Sequence, residues 1–175
     1  LQNKGHEIAG HGILQRNAKE VTSKNSKQHY LAVEIFPLIE AFKKEGIKIK
    51  SFAYPFGAKT QTLDYELQKH FEIISGTANG GKKVADNANF YNGTRLAYGI
   101  GIDSNYEHFS LNYLTKVLNY AKKHNKIVVF YGHKPVNKAT NEYEVDFKTL
   151  EMICQFVVSI QMKFYTLQEL NSLKK

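Results

Sequence analysis

The sequence predicts an α/β fold with a mainly parallel sheet, and three observations predict it. Strand-like and helix-like segments alternate along the chain. The run Ile127-Val128-Val129-Phe130-Tyr131 is continuously apolar, as a parallel strand covered on both faces requires. Polar segments containing Gly or Pro stand just past the apolar ones, where the loops of such folds gather. A chain of 175 residues has room for one core, and no linker divides it, so a single domain over 1–175 is expected.

In chain order, Gly5 to Gly10 reads as a short strand-like piece entering a loop rich in Gly, His and Asn. Leu31, Ile35, Leu38, Ile39 and Phe42 recur at helical spacing and predict a helix over residues 27–45. Pro37 has no N–H to donate and should kink or restart that helix, and Gly46 should end it. Lys48 to Tyr54 reads as a strand running into the turn Pro55-Phe56-Gly57. Thr62 is a candidate cap for a helix reaching His70, ahead of a strand from Phe71 to Ser75. A loop rich in Gly, Lys and Asn fills residues 76–93 before a strand near Arg95 to Ile102. Leu111, Leu114, Leu118 and Ala121 define one amphipathic helix. Leu150, Ile153, Cys154, Val157 and Val158 define another, with Cys154 inside its buried stripe. Met162 to Thr166 reads as a last strand before a short final helix.

Composition narrows the function classes. A mean hydropathy of -0.43 describes an ordinary globular chain. No apolar run approaches the roughly 20 residues of a membrane helix, and Leu1-Gln2-Asn3-Lys4 has no apolar stretch of signal-peptide type. The sequence starts without Met, so a start upstream of Leu1 is expected. One cysteine excludes an internal disulfide and any multi-Cys zinc site. The compartment stays open; the cell envelope and the exterior are both compatible. The net charge of +8 comes from lysines spread in pairs such as Lys43-Lys44 and Lys122-Lys123, which suit helix C-termini and a solvated surface. Only Arg16 and Arg95 are arginines, and no nucleic-acid module is legible, so no specific nucleic-acid partner is expected.

Three segments carry the functional reading: Gly10-His11-Gly12, Tyr54-Pro55-Phe56-Gly57 and Gly132-His133-Lys134-Pro135. Each follows a short apolar stretch, the place where parallel-strand folds gather their active sites. Residues 5–11, Gly-His-Glu-Ile-Ala-Gly-His, resemble the second motif of the polysaccharide deacetylases, that is carbohydrate esterase family 4 or NodB-homology domains. Phe52-Ala53-Tyr54-Pro55-Phe56-Gly57 resembles their third motif, and residues 128–135 resemble their fifth, in the right order and spacing. The resemblance spans nearly the whole chain. It implies an irregular, incomplete (β/α) barrel and a metal-dependent hydrolase that removes acetyl groups from amino sugars or acetylated polysaccharide.

The resemblance also implies roles. A divalent metal, zinc first, would polarise the acetyl carbonyl and position the attacking water. His11 falls on the first histidine of the metal pair, and Gln15 stands where the second belongs. The family's first motif, paired aspartates supplying a base and a third ligand, would precede Leu1, so a missing first β-strand unit is implied. The Phe56 backbone N–H takes the oxyanion, with Tyr54 and Pro55 against the substrate. His133 is the general acid for the leaving amine; an imidazole ordinarily titrates near about 6.5, which suits proton transfer at neutrality. Asp103 and Arg95 lie where the fourth motif would fall, with no role assigned. His11, Phe56 and His133 are expected to line one cleft.

Two function classes follow. One is a deacetylase acting on an acetylated glycan, favoured by His11, Pro55-Phe56 and His133. The other is a non-catalytic relative that binds such a glycan through Tyr54, Phe56 and neighbouring aromatics, favoured by Gln15 and the absent acidic motif. The oligomeric state is not legible.

Overall fold

The computed structural model describes residues 2–78, 83–106 and 109–173. Four strands, β1 (Ser51–Ala53), β2 (Ile73–Thr77), β3 (Leu96–Gly101) and β4 (Val129–Tyr131), form one parallel sheet in that order. Strand order that repeats chain order is the winding of a β/α barrel. The series ends at β4 on one side and, on the other, at β1 with the single bridging residue Gly10 beside Phe52. The fold is therefore α/β with an incomplete barrel-type parallel sheet, the class the sequence predicts. No helix among the described residues is long and apolar enough to cross a membrane.

The chain divides into two compact units. The first comprises Leu1–Gly76, Gly93–Ala97 and Tyr165–Lys175. Here α1 (Ala18–Lys24) is capped by Asn17, whose side chain accepts from the N–H groups of Lys19 and Glu20. Ser26 caps α2 (Lys27–Tyr30), which continues through a π-helical turn, Leu31–Ile35, into α3 (Phe36–Lys44). Pro37 explains the wide turn: it cannot donate to the carbonyl four residues back and its ring crowds it. The Phe36 N–H reaches Leu31 O instead, five residues back. Gly46, at φ +70°, ends α3 in a Schellman closure, with Ile47 N donating to Phe42 O (2.9 Å) and Gly46 N to Lys43 O (3.0 Å). Thr60, not Thr62, caps α4 (Gln61–Leu67), because its hydroxyl is the one that reaches the Leu63 N–H. The core of this unit centres on Phe52, fully buried, stacked on Phe71 at 5.2 Å and edge-on to Tyr54 at 5.4 Å.

The second unit comprises Thr77–Asn92 and Tyr98–Phe164. Ser110 caps α5 (Leu111–Lys123), which buries Leu114, Val117, Leu118 and Ala121. Its partner α6 (Phe147–Ser159) buries Thr149, Ile153 and Val157. Leu114 and Leu118 meet Ile153 and Val157 in one cluster with Ile100 and Ile102. A further short parallel pair, β5 (Lys134–Val136) and β6 (Glu144–Asp146), stands apart from the main sheet in register Lys134 to Glu144.

Several expectations change. Of the strand read over Gly5–Gly10, only Gly10 bridges, and the strand of Lys48–Tyr54 shortens to Ser51–Ala53. Met162–Thr166 is no strand: Gln161 turns at φ +56°, Met162 N closes on Val157 O at 3.0 Å, and Phe164 and Tyr165 are exposed. Met162 packs instead against the cluster that α5 and α6 make through Leu114, Leu118, Ile153 and Val157. Cys154 is exposed, because the buried stripe of α6 runs along 149, 153 and 157 and leaves 154 and 158 outside. Of the loop over 76–93, residues 79–82 lie outside the described residues.

Candidate functional site

In the first unit the parallel bridge of Gly10 to Phe52 sets His11 beside Ala53, and His11 Nδ1 lies 2.8 Å from Ala53 O. A carbonyl oxygen only accepts, so Nδ1 carries the proton and Nε2 keeps its lone pair. A backbone carbonyl on the far nitrogen is also what orients ligating histidines. Ala53 O is the carbonyl three residues before Phe56, and the turn that follows makes no bond from the Phe56 N–H to it. Gly57 N donates to Tyr54 O (3.0 Å) and Ala58 N to Pro55 O (3.1 Å), while the Phe56 N–H has no acceptor among the described residues. Phe56 itself sits at φ +60° with its side chain exposed, an uncommon conformation for a bulky residue and one found at functional turns.

Tyr54 is corrected. It is 2% exposed, its hydroxyl donates to Asp64 Oδ1 at 3.0 Å, and Lys59 Nζ takes Asp64 Oδ2 at 2.6 Å. Burial first, and the Asp64 carboxylate second, push the Tyr54 hydroxyl pKa up. Its part is to anchor the turn from below. A substrate-facing role does not fit a side chain turned into the core, and Pro55 beside it is buried too.

The loop after His11 is held by Glu34, a residue that the motif reading did not single out. Glu34 is fully buried, yet its Oε2 accepts from Leu14 N at 3.0 Å and its Oε1 pairs with the Arg16 guanidinium at 3.6 Å. Gly12, at φ +80°, passes so close that a Cβ would stand 2.7 Å from Glu34 Oε2. A carboxylate between Leu31, Ile35 and Leu38 on an apolar helical stripe was the available sequence signal. Gln15 lies on this loop at φ +53°, exposed. Nearby Glu7 is structural, bonded to the Ser51 hydroxyl and to Gln168 N.

The second unit brings Asp103 and His133 together. β3 and β4 pair with Gly101 opposite Tyr131, so the residues two beyond each strand emerge side by side on one face. Asp103 is fully buried. Its Oδ1 accepts from the His133 backbone N–H at 2.9 Å, and its Oδ2 lies 2.7 Å from His133 Nδ1. The carboxylate thereby orients the ring and places the Nδ1 proton, leaving Nε2 on a side chain that is 41% exposed. Tyr106, Tyr131 and Tyr143 surround the imidazole with ring centroids 6.4, 5.9 and 5.0 Å away. Burial, then Tyr131 and Asp103, raise the Tyr106 pKa. Gly101 makes room, since a Cβ there would meet Tyr106 at 2.5 Å. Arg95, by contrast, belongs to the first unit and donates to the carbonyls of Glu72, Gln68 and Phe71. It ties the end of α4 and takes no part beside Asp103.

Glu144, at the start of β6, accepts from Thr140 N (2.9 Å), Asn141 N (3.2 Å) and the Thr140 hydroxyl (3.3 Å). These donors lower its pKa from 4.5 to about 2. A depressed carboxyl contributes stability that is whole above the unfolded value and fades as pH falls toward the folded one. The loop 137–143 is thus expected to loosen between about pH 4.5 and pH 2. A carboxyl-carbon NMR titration of Glu144 checks this: a midpoint near 2 is expected, and an ordinary midpoint would mean that the loop is not bound to it.

The donor set does not fit the metal that the resemblance implies. His11 offers one imidazole and Gln15 an amide oxygen, where zinc sites take three or four protein ligands, mostly His, Cys and carboxylate. Among the described residues no three of His, Cys, Asp and Glu stand together to hold a cation. His11 with Pro55-Phe56 lies in the first unit and His133 with Asp103 in the second. Compared with protein families, with curated proteins and with solved structures, the chain matches none.

Proposed function

We propose that this protein hydrolyses acetyl groups from amino sugars or acetylated polysaccharide, as a relative of the polysaccharide deacetylases. The observation that supports this best is the Asp103–His133 pair. A buried carboxylate that accepts from both the backbone N–H and Nδ1 of one exposed histidine holds it in a single tautomer. Such orientation serves a group that moves a proton. In the reaction, water adds its oxygen to the acetyl carbonyl and gives up a proton to solvent, the C–N bond breaks, and the departing amine takes the Nε2 proton of the His133 imidazolium, leaving acetate and the free amine.

A second reading has its own support. One imidazole and an amide at the expected ligand positions suit a member that keeps the site and binds acetylated glycan without cleaving it. Acetate release from acetylated chitooligosaccharides, followed with and without added zinc, separates the two. Release is expected of the deacetylase; binding of the oligosaccharide without any release would give the protein the second role.

A further inference from the structure

We propose that Tyr143 is the platform of a pyranose-binding subsite beside His133, on which one sugar ring of the glycan lies flat. The subsite rests on the reading of His133 as the group that meets the substrate.

Position is the first ground. The Tyr143 ring stands 5.0 Å from the His133 imidazole at 69°, and Tyr106 meets it edge-on at 6.5 Å. Packed on these edges, Tyr143 nonetheless stays 55% exposed. The protein has no tryptophan, so tyrosine is the aromatic with a polar rim that it can offer a sugar.

Rigidity is the second. β5 and β6 are parallel, yet only residues 137–143 join them, where a parallel pair ordinarily needs a crossover of about a dozen residues or more. Side-chain carboxylates make the short path possible. Glu144 takes the donors of Thr140 and Asn141, Asp146 Oδ1 takes Ala139 N at 2.7 Å, and Lys134 N donates to Tyr143 O at 3.1 Å. Asp146 is spent on this loop although it stands at the N-cap of α6, where its side chain makes no capping bond. The loop residues are exposed or half-buried, so apolar burial does not order them. Ordering costs conformational entropy at every residue, and here hydrogen bonds to ionised groups offset it. The result is one large aromatic face fixed in the open next to a proton-moving histidine.

Such a face suits a pyranose with equatorial substituents. Its axial C–H groups pack flat on the ring while its hydroxyls stay at the polar margin, and a tyrosine already held loses little freedom on binding. A sugar so placed presents a substituent at its edge toward Nε2.

The experiment measures affinity for tri-N-acetylchitotriose by calorimetry, together with acetate release. Tyr143→Ala and Tyr143→Leu are each expected to weaken binding about tenfold, and Tyr143→Phe to stay within about twofold of the parent. The leucine variant keeps apolar bulk without the ring, so a loss in both with an unchanged melting curve belongs to the platform. Binding by Tyr143→Leu and Tyr143→Ala within about twofold of the parent would overturn the subsite. If acetate release still depends on His133 in that case, the general acid stands without it. Loss of binding in Tyr143→Ala and Tyr143→Leu, with a parent that binds but releases no acetate, would leave the subsite and remove the hydrolysis. A parent that does neither overturns both.

Discussion

His133→Ala is expected to lower the rate of acetate release by about 10²- to 10⁴-fold, the usual contribution of a general acid or base. The loss should fall on kcat, with the affinity for oligosaccharide little changed, because the proton is needed only as the C–N bond breaks. Asp103→Asn sharpens the test. The amide oxygen can still accept the His133 backbone N–H, now at 2.9 Å from Asp103 Oδ1, so the NH₂ group must face Nδ1 where Oδ2 stood. Two donors then oppose each other, and the protonated ring is disfavoured while its position is kept. Turnover should fall toward that of His133→Ala with a folded protein and an intact glycan affinity. If His133→Ala releases acetate as fast as the parent, the general acid lies elsewhere. If Asp103→Asn is fully active, the pair only holds the loop.

Phe52→Ala is expected to cost about 3–5 kcal/mol of stability, the range for a large aromatic removed from a closed core. Phe52 is fully buried between Phe71 and Tyr54. A Cβ on Gly10 would stand 3.0 Å from its ring, so the neighbouring segment is already in contact. The consequence reaches the site, because Phe52 bridges to Gly10 and precedes Ala53, whose carbonyl holds His11. Denaturant unfolding with an unchanged m-value would give the figure. A cost below about 1 kcal/mol would mean that the core collapses into the space and that the aromatic stack is not what secures β1. Val158→Ala, on the exposed side of α6, serves as the near-neutral comparison.

The helices were legible because their apolar residues repeat every three to four positions, and Leu111–Lys123 carries both the period and its cap. The cap of α4 stands two residues before the expected Thr62, since Thr60 and Thr62 look alike until the backbone decides which hydroxyl meets Leu63 N. Met162–Thr166 misled for a related reason: alternation marks a possible strand, but a strand exists only where another edge is there to pair with it. The family resemblance places Tyr54 against the substrate. Only packing shows that the side chain goes inward to Asp64.

The α/β class, the placing of His11, Phe56 and His133 just past apolar segments, and the sites of Gly46 and Pro37 are legible in the residues alone, because they depend on periodicity and on local backbone chemistry. The tertiary structure decided the pairing of Asp103 with His133, the burial of Glu34 under the His11 loop, and the hold of Glu144 on the loop of Tyr143. Strand register joins residues 103 and 133, thirty positions apart along the chain but adjacent across β3 and β4. Contacts of that kind depend on which strands pair and in what register, and a side chain's partner across a sheet is not written in its own neighbourhood.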